Sequence, residues 1–81
     1  MADREDVLKR VIKVSSQVLK VNPAEIKASS NFVFDLGAES IDSIALVAAF
    51  DKEFGIKMNE EDALEVQTVE LAVKFITDYL K

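Results

Sequence analysis

The chain has no histidine, no cysteine and no tryptophan, and only one proline and two glycines among its 81 residues. Each absence removes a class of chemistry. Without Cys there is neither a disulfide framework nor a thiolate metal site. Without His as well, a Ser-His-Asp triad, a Cys nucleophile and the usual zinc sites are excluded within this chain. A carboxylate pair of the glycosidase kind would need a cleft, and a domain this short buries only about 60% of its unfolded surface. No catalytic residue and no metal ligand is assigned. No apolar run approaches the ~18 residues of a membrane span, and nothing at the N-terminus reads as a signal peptide. The expectation is one domain over residues 1–81: cytoplasmic, monomeric and not inserted into a membrane.

What is present argues for helix. Hydrophobic residues make up 49% of the chain, too many for disorder, and the scarcity of Pro and Gly suits a compact helical domain. Charge is unevenly placed: residues 1–30 hold six Lys/Arg and four Asp/Glu, whereas residues 31–81 hold four and eleven. An acidic segment repels nucleic-acid phosphates and steers basic protein surfaces toward itself. A solubility role is the ordinary alternative. The concentration of acids beside one serine favours a protein partner, and no nucleic-acid partner is expected.

Asp3 suits an N-cap before Val7, Leu8, Val11, Ile12, Val14, Val18 and Leu19, which predicts a helix from about Arg4 to Leu19. Asn22-Pro23 predicts one short turn. From Lys27 to Glu39 no period holds, so a long loop is expected, anchored by Ile26, Phe32 and Leu36; long ordered loops are often functional. The next helix runs from Ser40 to Phe54, with Gly55 as its C-cap. A short helix follows Asn59, reaching about Glu65, and Thr68 caps a last helix through Leu80. Asn31-Phe32-Val33-Phe34 is too short and isolated for a strand. The fold class is all-α, a four-helix bundle of three longer helices and one short one, with a long loop between the first and second.

The segment Asp35-Leu36-Gly37-Ala38-Glu39-Ser40-Ile41-Asp42-Ser43 carries the chemistry. Gly37 allows a sharp turn, and Ser40, on the first residue of the helix, is a type favoured for capping it. Free N–H groups and the positive dipole end make that position hospitable to a phosphate ester. On a wheel at ~100° per residue, the helix shows two apolar faces. Leu46, Val47, Phe50 and Phe54 form a core face; Ile41, Ile44, Ala45 and Ala48 lie roughly opposite, beside Ser40 and rimmed by Asp42, Asp51 and Glu53. The second face either packs beneath the loop or the short helix, or forms a docking patch.

This segment resembles the Asp-Ser-Leu attachment motif of the acyl carrier proteins. The resemblance extends over about residues 4–80, through the Phe32-to-Gly37 lead-in, the Glu53-Phe54 helix end and the Glu60-Glu61 run. It implies that Ser40 carries 4′-phosphopantetheine, transferred from coenzyme A by a phosphopantetheinyl transferase. It also implies that the acyl thioester passes between synthase and transferase enzymes with basic docking patches, the chain tucked among the helices in transit. Fatty acid synthesis or a specialised lipid or polyketide pathway would use such a carrier. The implied partner-binding set is Asp35, Glu39, Ile41, Asp42, Ile44, Ala45, Ala48, Asp51 and Glu53.

Departures from the family pattern are informative. Glu39 stands where Asp is usual and Ile41 where Leu is usual, which keeps charge and volume. Ala45 and Lys52 occupy commonly acidic positions of the second helix, and Phe34 a commonly acidic loop position. Electrostatic recognition by general fatty-acid enzymes is thereby weakened, which points toward a dedicated pathway. A peptidyl or aminoacyl carrier, of a non-ribosomal or D-alanylation type, is the near alternative; those carriers favour Gly-Gly-His-Ser-like surroundings and fewer acids. An unmodified helical interaction module, with Ser40 only a cap, is the alternative of another class. No loop has the ligand spacing of a calcium-binding EF-hand.

Overall fold

In a computed structural model, which describes residues 3–80, helix α1 spans Arg4–Leu19 as its apolar spacing predicts. Asp3 is the N-cap, accepting from the Glu5 N–H at 3.2 Å, while Glu5 and Asp6 sit in the first turn, where negative charge is favoured. The helix ends at Lys20, which takes a left-handed conformation (φ 57°) without being glycine. Its N–H returns to the Ser16 carbonyl, and the Ser16 hydroxyl donates to the Val21 carbonyl at 2.6 Å, so side-chain bonding fixes the exit. Asn22 then caps a single 3-10 turn, Pro23–Glu25.

Helix α2 spans Ser40–Phe54 and stops at Gly55, whose positive φ of 64° is the conformation that favours glycine. Helix α3, Glu60–Leu64, starts from an Asn59 cap, and α4, Val69–Tyr79, from a Thr68 cap. Helix α1 packs against both α2 and α4, and the short α3 leans on α2. The core is built from Val7, Val11 and Val14 of α1, Leu46, Phe50 and Phe54 of α2, and Val69, Val73 and Ile76 of α4. Each such side chain contributes about 1.5–3 kcal/mol on burial. Among the described residues there is no strand, only one isolated antiparallel bridge between Asn31 and Thr68.

That bridge explains how the aperiodic loop is held. The Phe32 N–H donates to the Gln67 carbonyl at 2.9 Å, the Val69 N–H to Ser30 at 3.0 Å, and the Glu70 N–H to Ala28 at 2.8 Å. Strand-like pairing thus ties the loop to the start of α4. Ile26 and Phe32 are buried and Leu36 is half-buried, as expected of anchors. Ala38 and Ser30 are buried too, and the Ser30 hydroxyl accepts from the Lys27 N–H at 2.9 Å.

Candidate functional site

The approach to Ser40 is a chain of local hydrogen bonds. Asn31 Oδ1 accepts from the N–H groups of Val33 and Phe34, both at 2.9 Å, and Asp35 Oδ2 accepts from the Asn31 N–H at 2.7 Å. Such Asx-type bonding gives backbone donors partners where no helix or sheet does. Carbonyls of Asn31, Val33 and Phe32 take the N–H groups of Leu36, Gly37 and Ala38, and Gly37 turns with φ 72°. Buried Ala38 then pins the chain immediately before the helix.

Ser40 is the first helical residue, as its segment predicts, although its residue type also suits the cap position just before it. Glu39 holds the cap position, with extended backbone, and its N–H donates to Asp42 Oδ2 at 3.0 Å. The reciprocal bond from the third helical residue stabilises the start without using the serine. The Ser40 side chain is exposed, and its hydroxyl has no hydrogen-bond partner among the described residues. The first helical bond runs from the Ser43 N–H to the Glu39 carbonyl, leaving earlier N–H groups without intrahelical acceptors. A phosphodiester on Ser40 Oγ fits these surroundings: an uncommitted hydroxyl, a positive helix end and no side chain packed over it.

The second apolar face of α2 faces solvent. Ile41 is 72% exposed and Ile44 51%, with Ala45 and Ala48 exposed beside them. Neither the loop nor α3 covers this face, so packing does not account for it. Asp35, Glu39 and Lys52 are also exposed, and Asp42 is half-buried.

Two acids do not stand free on the rim. Glu53 faces α1, where its carboxylate accepts from Arg10 Nε at 2.8 Å and its carbonyl from Arg10 Nη2 at 2.6 Å. The Arg10 guanidinium also lies 4.4 Å from the Phe54 ring centroid. Position 53 lies on the flank of α2 that meets α1, which the wheel alone does not identify. Asp51 points toward the following loop, its Oδ1 accepting from the Met58 N–H at 2.9 Å. Both residues shape the seams of α2.

Beside the site, α2, α3, α4 and the loop enclose a mostly apolar cavity of about 300 Å³. Its lining includes Leu46, Val47 and Phe50 of α2, Ala63 and Leu64 of α3, and Ala72, Phe75 and Ile76 of α4, together with Val33 and Phe34 of the loop and Ser43 of α2. Ser43 lies one turn beyond Ser40. The apolar spacing of α2 predicts that Leu46, Val47 and Phe50 face inward, but hydrophobic spacing marks a buried face without specifying how completely it is filled. Among the described residues, no helix is long and apolar enough to cross a membrane.

Residues 9–76 match the family model described as a phosphopantetheine attachment site. The chain is 42% identical over 73 residues to "Acyl carrier protein" of Caulobacter vibrioides, covering 90% of this chain and 94% of that one. It is 43% identical over 75 residues to the protein of the same name from Phenylobacterium zucineum, covering 93% and 95% respectively. Against "Acyl carrier protein 2, mitochondrial" of Arabidopsis thaliana it is 36% identical over 77 residues, covering 95% of this chain and 61% of that longer protein.

Proposed function

Because the chain belongs to the acyl carrier protein family and carries covalent 4′-phosphopantetheine, we propose that Ser40 is the attachment residue and that linear acyl chains ride on its arm. The arm supplies a terminal thiol that holds the acyl group as a thioester. The protein supplies three things: a hydroxyl presented on a helix end, a recognition surface, and an apolar shelter. The observation that carries the assignment is the contrast between Ser40 and the other serines. Ser15 and Ser30 are buried, and the Ser16 hydroxyl is committed to the Val21 carbonyl. Ser43 donates to the Glu39 carbonyl at 3.3 Å, and Ser29 lies in the loop, away from any helix start. Only Ser40 combines exposure, an uncommitted hydroxyl and the first position of a long helix.

Recognition follows from the same surface. A phosphopantetheinyl transferase and acyl-handling enzymes with basic patches would meet Asp35, Glu39 and Asp42 around the serine, with Ile41, Ile44, Ala45 and Ala48 as the apolar contact. Residues 31–51 contain no Lys or Arg, so nothing in this stretch opposes a basic partner. The apolar cavity is the place for a chain in transit, where the hydrophobic effect favours methylenes over water. The pathway is fatty acid synthesis or a related specialised one, and exposed Ala45 and Lys52 on the docking side favour the latter.

Incubation with coenzyme A and a broad-specificity phosphopantetheinyl transferase, followed by intact-mass measurement, tests the assignment. One adduct is expected on the wild type and none on Ser40→Ala. An adduct that persists in Ser40→Ala overturns the site, and no adduct on the wild type overturns the carrier reading itself.

A further inference from the structure

Phe34 is the most exposed large apolar side chain among the described residues, at 87%, and yet it lines the cavity beside the Ser40 helix. Its neighbour Val33 is 52% exposed, and Leu64 of α3, which also lines the cavity, is 43% exposed. Together these three place apolar surface at the cavity's open side. The geometry points to Phe34 as a gate: when an acyl chain occupies the cavity, the ring swings over the mouth and shelters the thioester end of the chain. The inference rests on the carrier reading above and adds a residue that selects and retains its cargo.

Several observations support it. The backbone around Phe34 is fixed, because Asn31 Oδ1 accepts its N–H and that of Val33, and Asp35 ties back to Asn31. Movement is therefore confined to the side-chain torsions, which for an exposed residue change within nanoseconds. The open ring has little to pack on while the cavity is empty; a hydrocarbon chain reaching the mouth provides that surface. At about 30 Å³ for a water-sized group, the cavity takes roughly ten methylenes, so a chain of medium length fills it up to the mouth. A charged or strongly polar acyl group would have to sit against an aromatic ring and Leu64 with few polar partners, which disfavours it. Phe34 is a positioning residue for the cargo and takes no part in chemistry.

The experiment uses the full chain loaded with octanoyl-phosphopantetheine from octanoyl-coenzyme A by a broad-specificity phosphopantetheinyl transferase, which is then removed, with loading verified by intact mass. The readouts are the rate of thioester cleavage by hydroxylamine and contacts by proton NMR between the Phe34 ring and the octanoyl methylenes. Covering about 40 Å² of apolar surface corresponds to roughly a fivefold shift in the closed-to-open ratio, so Phe34→Ala should raise the cleavage rate about fivefold. Phe34→Leu should recover part of the protection, and melting of the unloaded protein should be unchanged in both variants because the ring is nearly free. The butanoyl form, whose short chain leaves most of the cavity empty and is held there weakly, should spend little time sheltered and show little dependence on residue 34. Equal cleavage rates for wild type and Phe34→Ala, or no ring-to-chain contact, would overturn the gate while leaving the carrier assignment intact. Failure of the wild type to load at all removes the carrier reading, and the gate with it. These measurements contain no partner enzyme, so an effect of Phe34 seen only when an enzyme is added also counts against the gate.

Discussion

Replacing Arg10 tests what holds α2 in place on α1. The guanidinium makes three contacts of different strength: Nε to Glu53 Oε2 at 2.8 Å, Nη2 to the Glu53 carbonyl at 2.6 Å, and the face of the Phe54 ring, 4.4 Å from its centroid. The ion pair is part-exposed, with side chains 38% and 24% accessible, so it contributes only about 0.2–1 kcal/mol. The bond to the carbonyl matters more. Glu53 lies in the last turn of α2, where carbonyls have no intrahelical donor, and a hydrogen bond from a charged donor is worth about 1.5–3 kcal/mol. The ring contact adds about 0.5–1 kcal/mol. These terms share one side chain and do not simply add, so Arg10→Met should cost about 2–3 kcal/mol. In a domain of this size that lowers Tm by about 10 °C or more. Glu53→Gln removes only the charge of the pair and should cost less than about 1 kcal/mol. Arg10→Lys keeps the charge but loses the planar fork, and should behave more like Arg10→Met than like wild type. Urea unfolding of the three variants at low and high salt measures these differences. If Glu53→Gln costs as much as Arg10→Met, or if high salt erases the whole effect, the seam is an ordinary surface ion pair and the reasoning is wrong.

Three further outcomes are expected. Ser15→Ala should stabilise the fold by about 1 kcal/mol in urea unfolding, because its hydroxyl is fully buried without a hydrogen-bond partner; destabilisation would mean that the hydroxyl is satisfied after all. Reversing Asp42 should slow association with a phosphopantetheinyl transferase at low salt and lose its effect at high salt, whereas Ile41→Ala should speed dissociation; stopped-flow binding separates the two, and insensitivity to both places docking elsewhere. Ala45→Glu with Lys52→Glu should raise the rate of malonyl loading by general fatty-acid synthesis enzymes at low salt; equally rapid loading of the wild type would refute the specialised-pathway reading.

Periodicity and capping residues suffice for the helices, because those signals are local. The spacing from Val7 to Leu19 and the caps Asp3, Asn59 and Thr68 lead to the observed elements to within a residue or so. The nine residues around Ser40 likewise carry the family, since a sharp turn, a serine at a helix start and flanking acids are contiguous in the chain. Tertiary structure decided what depends on distant neighbours. Glu53 is paired rather than free because Arg10, 43 positions earlier, reaches it across the α1–α2 seam. The loop is ordered because Ala28, Ser30 and Phe32 pair with Gln67, Val69 and Glu70, which no local pattern signals. The cavity follows from how far apart α2, α3 and α4 settle, and a hydrophobic pattern specifies which faces turn inward without specifying whether they meet. The sequence by itself determined which segments are helical, because capping and periodicity are local; three-dimensional packing alone decided which charges are paired and where the helices leave an apolar void.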